Sequence, residues 1–171
     1  MVEASAEQQE ICLSANEWLR VLDCLDYQQL RHGSAYTRVC WSWRKICAQI
    51  FALGSELLFF GDVKLGARGL PQHTFAMFFT SQTQGYAFPV PSSQGALCVL
   101  GLVGRYNRPG EIMSSGGAGT LFFPVDVLAL PTPMGLTVAQ PGETWNFQAW
   151  FRDSNPGTTS NFTDAVSITF L

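Results

Sequence analysis

The chain has 171 residues, a formal net charge of −3 and a charged fraction of 13%, about half the usual share. Its ten scattered cations give neither an electrostatic footprint for nucleic acid nor a polybasic block for a membrane surface, and no apolar run reaches the ~18 residues a spanning helix needs. The length suits one domain or a small pair with a sizeable core.

The opening, MVEASAEQQEIC, is polar and acidic, with no basic n-region and no apolar h-region. A chain that starts this way is expected in the cytosol. Four of the five cysteines (Cys12, Cys24, Cys40, Cys47) fall in the first 47 residues and Cys98 stands apart. No C-x-x-C pair occurs, so a structural zinc is not expected, and buried free thiols in a reducing compartment are.

Residues 1–52 hold no proline, one glycine (Gly33) and eleven of the 23 charges; residues 53–171 hold all nine prolines and fifteen of the sixteen glycines. This shift predicts two domains: a small helical unit over 1–52 and an antiparallel β-sandwich over 53–171, an α+β chain. In the first, Leu13, Val21, Leu22, Leu25 and Leu30 recur near helical spacing, with Ser14 or Asn16 as a cap and Glu17 in the first turn. Gly33 and Ser34 break the chain. Val39, Trp43, Ile46 or Cys47, and Ile50 then follow at i, i+4, i+7 or i+8, i+11, which predicts a helix with Trp43 inward and Trp41 outward. An outward Trp41 either anchors a partner or packs on the second domain.

The order L-S-x-N-x-x-L-x-V-L-D-C-L-D … L … V-C-W-S-W-R-K-I resembles an F-box over residues 11–50. The matching residues are Leu13, Val21, Leu22, Leu25, Asp26, Leu30, Val39, Cys40, Trp43 and Arg44, with V-C-x-x-W-R the most specific element. Ser14 stands where that family usually has proline and Asn16 where it has glutamate. The resemblance implies docking on a Skp1-type adaptor of a ubiquitin ligase through Leu13, Leu22, Leu25, Leu30, Val39, Trp41 and Trp43, with the remainder presenting a target.

The second part predicts short strands at 57–60, 63–67, 74–80, 97–103, 120–128, 144–152 and 165–171. Pro124 marks its strand as an edge or a bend. Turn signals at 71–72, 89–95, 108–110, 114–119, 131–135, 141–142 and 154–157 separate them. The 144–152 stretch is the clearest. Trp145, Phe147, Ala149 and Phe151 face one way, and Asn146, Gln148, Trp150 and Arg152 the other. The last two strands are expected to form a hairpin.

Residues 80–85 (TSQTQG), 93–98 (SQGALC), 104–112 (GRYNRPGEI) and 140–170 (QPGETWNFQAWFRDSNPGTTSNFTDAVSITF) resemble a β-rich C-terminal module that ends many large secreted or surface proteins of bacteria, over about residues 57–171. The resemblance implies a terminal binding or assembly module on an exported protein. It also implies that the Cys98 position pairs with an upstream cysteine. None lies between 48 and 97, so no such bridge forms within this half.

Signs of catalysis are sparse. G-x-S-x-G, H-E-x-x-H, G-x-G-x-x-G and P-loop motifs are missing, and the two histidines, His32 and His73, lie 41 residues apart. Asp126, Glu143, Asp153 and Asp164 have spacings that define no carboxylate pair. Asp153, Asn155 and Asp164 fall short of the oxygen ligands calcium takes. Asn161-Phe162-Thr163 is a glycosylation sequon on a secretory route. No catalytic residue, metal or cofactor is expected. Asn146, Gln148, Trp150 and Arg152 suit a sugar or protein ligand, or a face covered by other parts of the chain. The leading expectation is a non-catalytic cytoplasmic adaptor: the helices recruit a Skp1-type partner and the sandwich recognises a protein or glycan target, with no nucleic acid and no membrane. The alternative is a secreted or surface-borne bacterial structural or carbohydrate-binding module with an unrelated helical leader.

Overall fold

A computed structural model of the chain describes residues 48–154 and 157–171, and the backbone of 37–40. The described residues belong to one compact unit that begins at Ala35. They form strands only, with antiparallel pairing throughout. In chain order the first seven are β1 (Thr37–Cys40), β2 (Gln49–Leu53), β3 (Lys64–Arg68), β4 (Phe75–Ser81), β5 (Thr83–Ala87), β6 (Leu97–Leu100) and β7 (Gly104–Arg105). Then come β8 (Met113–Ser114), β9 (Leu121–Pro124), β10 (Leu130–Thr132), β11 (Gly135–Thr137), β12 (Thr144–Ser154) and β13 (Thr158–Thr169).

The principal sheet runs β1-β13-β12-β4-β7, with β8 also on β4. Its spine is the expected C-terminal hairpin. β12 and β13 pair from Thr144↔Thr169 to Ser154↔Thr158, with a bulge between Gln148 and Trp150. The alternation of β12 builds the core. Trp145, Phe147, Ala149 and Phe151 point inward with Ala76 and Phe78 of β4 and Val166 and Ile168 of β13. A second sheet, β2-β3-β9, lays Ile50, Ala52, Leu65, Ala67 and Leu121 against them. Two antiparallel sheets thus enclose one apolar layer, a sandwich-like arrangement. Truncating Phe147 inside that layer would cost about 3–5 kcal/mol. Among the described residues β9 pairs only with β3 and ends on Pro124 opposite Lys64, so the proline sits on an edge there, where its missing N–H costs no ladder bond.

Gly66 in the middle of β3 lets the Phe51 ring lie flat on the backbone, since a Cβ there would enter the ring. On the outer side of the same sheet Phe122 meets Phe51 edge-on at 5.8 Å between centroids.

Three expectations are corrected. Val39 and Ile50 do not share a helix: Val39 lies in β1 against β13, and Ile50 lies in β2 against β3. The i, i+4, i+11 spacing matched a helical face. Over 49–53, however, the residues alternate, with Ile50 and Ala52 buried and Leu53 exposed, and sheet pairing decides. The composition boundary after residue 52 consequently falls inside β2. Leu57–Phe60 is a turn rather than a strand, with Leu57, Phe59 and Phe60 exposed and only Leu58 packed on the core. An apolar run without alternation has no inward face to select.

Tyr106 lies in the core, its ring 4.8 Å from that of Phe123, and its hydroxyl has no hydrogen-bond partner among the described residues. Burial, reinforced by Glu111, pushes the phenol well above its ordinary range. Since an unsatisfied buried hydroxyl carries a desolvation cost of about 1–3 kcal/mol, Tyr106→Phe should leave stability unchanged or raise it by about 1 kcal/mol in urea titration. A loss above about 2 kcal/mol would reveal a partner for that oxygen.

Candidate functional site

The face of β12 that turns away from the core carries Asn146, Gln148, Trp150 and Arg152, as expected, and the fold divides it in two. Over the first half lies the hairpin β5–β6. Ala96, Cys98 and Val99 pack on Ala165 beneath it, with Tyr86 alongside. Gln148 is wholly buried at this contact. Its Oε1 accepts the Cys98 amide at 2.9 Å, and its Nε2 donates to the Ala96 carbonyl at 3.0 Å and the Thr163 carbonyl at 2.8 Å. Asn146 donates to the Ser81 carbonyl at 3.0 Å and accepts from the Ser167 hydroxyl at 2.5 Å, while Gln84 reaches Ser167 from the hairpin at 3.0 Å. Gln148 therefore fastens the hairpin to the sheet directly, and Asn146 holds the Ser167 hydroxyl that Gln84 of the hairpin reaches. Ligand contact by these two is corrected to an internal role, because every polar atom they offer faces a buried group.

The second half lies beyond the hairpin. Trp150 is half-buried and pairs in register with Met77. The Arg152 guanidinium sits 5.2 Å from the Trp150 ring centroid. On β4 the same face shows Phe75, 63% exposed, and Met77, half-buried; Phe79 is covered by Phe162 at 5.9 Å. Arg105, paired with Phe79 in register, places its guanidinium 5.6 Å from that ring. Ile112, just before β8, is exposed. Trp150 and Arg152 thus belong to an aromatic and methionine surface flanked by two exposed arginines. Sequence reading missed Phe75, Met77 and Arg105. The alternation of β4 placed Phe75 and Met77 on one face, but only the β12–β4 register puts that face beside Trp150.

The remaining candidates separate. Asp164 is buried and accepts the Ile50 amide at 2.7 Å, whereas Asp153 accepts the Ser154 amide at 2.7 Å and the Asn161 amide group at 3.4 Å. The two carboxylates serve different strands. Among the described residues no three His, Cys, Asp or Glu side chains gather as metal ligands. Glu143 accepts the Gln140 amide and the Trp145 indole N–H at 3.0 Å each, and these bonds hold its carboxyl below the usual range. His73 is exposed in a turn with φ of 55°. Leu13, Leu22, Leu25, Leu30, Trp41 and Trp43 lie outside the described residues, as does Asn155; Val39 is placed in β1 by its backbone.

Cys98 corrects the free-thiol expectation: it is disulfide-bonded and buried. The other cysteines lie outside the residues whose side chains are described.

Comparison with known proteins finds no matching family model, no curated relative and no matching solved structure. The class the described residues define is an antiparallel, sandwich-like β unit with a hairpin over one outer face.

Three outcomes follow from this geometry. Gln148→Ala should cost about 2–4 kcal/mol in urea unfolding, because it strands one amide and two carbonyls in a dry layer; a change below about 0.5 kcal/mol would mean that the hairpin does not depend on it. Asn161, 2% exposed with its side chain bonded to Phe162 and Asp153, should carry no glycan when the chain is passed through a secretory route, as read by intact mass. Alkylation of the denatured, unreduced protein should leave Cys98 unmodified; labelling of Cys98 would contradict the bridge.

Proposed function

We propose that this chain is a non-catalytic recognition module of the exported type, and that its β unit holds a protein partner on the open half of the outer β12–β4 face. The observation that carries the reading is the composition of that surface. Trp150, Phe75, Met77, Arg105 and Arg152 are of the residue types enriched where proteins meet, and here they share one rigid sheet. The sheet fixes the aromatic rings in advance, so little side-chain freedom is lost on contact. The bonded Cys98 supports the exported reading, since such bonds persist in oxidising compartments.

Recruitment of a Skp1-type adaptor draws no support from the described residues, and the strand at Val39 weighs against a helical docking face there. Size exclusion of the purified chain with a Skp1-type adaptor is expected to show separate peaks. A joint peak that Leu25→Asp abolishes would restore the adaptor reading.

The principal test is selection from a random dodecapeptide display library, on the intact chain and on a Phe75→Ser/Trp150→Ser variant. Peptides enriched on the intact chain should fail to bind the variant while its thermal unfolding remains cooperative. Equal binding to both proteins, or no enrichment at all, would overturn the assignment of this face.

A further inference from the structure

We infer that the segment recognised by this face is acidic as well as apolar, its carboxylates taken by Arg105 and Arg152; the inference rests on the protein-recognition reading above. Each guanidinium lies over an aromatic ring, at 5.6 Å from Phe79 and 5.2 Å from Trp150. A ring under a guanidinium satisfies its flat face and holds its plane still. A guanidinium placed over a ring can still offer its N–H edges, in the fork geometry that receives a carboxylate through two parallel bonds.

Neither arginine is ion-paired among the described residues. The neighbouring acids are engaged elsewhere. Asp153, next to Arg152, accepts from Ser154 and Asn161. Glu111 lies near β7 and pairs with Arg108 at 2.6 Å while also accepting the Arg108 amide at 2.8 Å. The open half of the face thus carries positive charge that the described acids leave uncompensated. A chain with a net charge of −3 that keeps two unpaired arginines on an apolar sheet face has a surface complementary to an acidic partner.

The register sets the spacing. Arg152 lies one residue past Phe151, which pairs with Ala76, and Arg105 pairs with Phe79. Two strand steps of ~4.8 Å and four residues of ~3.4 Å separate the two positions by about 17 Å. An extended segment covers that distance in about five residues. Its apolar side chains would meet Phe75, Met77 and Trp150 between the two cationic ends. Methionine and phenylalanine favour a polypeptide over a sugar there: the flexible thioether adapts to varied aliphatic side chains, and the Trp150 ring face that a sugar would stack on is taken by Arg152.

The same display library, panned on the intact chain and on Arg105→Gln/Arg152→Gln, provides the test. Both side chains are exposed, so the double variant should unfold at the parent temperature. Peptides from the intact chain should be enriched in Asp and Glu flanking apolar residues. Those from the double variant should keep the apolar preference and lose the acidic one. A selected peptide should bind each single variant about tenfold more weakly and lose affinity as salt is raised. Apolar peptides without acidic enrichment on the intact chain would overturn the carboxylate inference and leave protein recognition standing, as would acidic enrichment that persists in the double variant. An absence of any enriched peptide, with binding to carboxylated sugars on a glycan array, would overturn both.

Discussion

One carboxamide holds two layers of this protein together. Gln148 sits in the middle of the longest hairpin and is fully buried, yet it is polar. Its position makes sense only because three backbone groups meet it there, the Cys98 amide and Ala96 carbonyl from the hairpin side and the Thr163 carbonyl from β13. An amide with all its principal bonds made inside a dry layer is highly directional, whereas an apolar contact there would let the hairpin slide. Apolar packing of Ala96, Cys98 and Val99 on Ala165 holds the hairpin down, and the directional Gln148 bonds fix where it sits. Asn146, Ser167 and Gln84 extend the same fastening along the sheet.

That fastening determines what the rest of the face can do. Where the hairpin lies, the outer side of the sheet is interior. Where it ends, Trp150, Met77 and Phe75 come to the surface beside two arginines. The open surface is as rigid as the core beneath it, because its residues alternate along β4 and β12 with Ala76, Phe78, Phe147, Ala149 and Phe151. A recognition surface built on strands keeps its geometry better than one carried on loops.

The alternation along 144–152 was legible because period two with aromatic residues on one side admits no other regular structure. The direction of its polar side was legible too. What covers that side was not. β5 reads TQGYA, without the alternation that announces a strand, and the partners of Gln148 are backbone groups, which carry no residue signature. β1 and β2 were hidden for a different reason. Val39, Trp43, Ile46 and Ile50 fall on a helical stripe by spacing alone, and that coincidence outweighed the alternation in a strand of only five residues. A bridge at Cys98 was implied by the resemblance alone, since pairing requires proximity that spacing does not reveal.

The Cys98 amide provides the most direct measurement, because it donates to the Gln148 side chain instead of to a neighbouring strand. Residue-resolved hydrogen exchange should find it as slow as the amides shared by β12 and β13. Exchange at the rate of an exposed turn would show that the hairpin does not rest on Gln148, and the division of the outer face into a sealed half and an open half would fall with it.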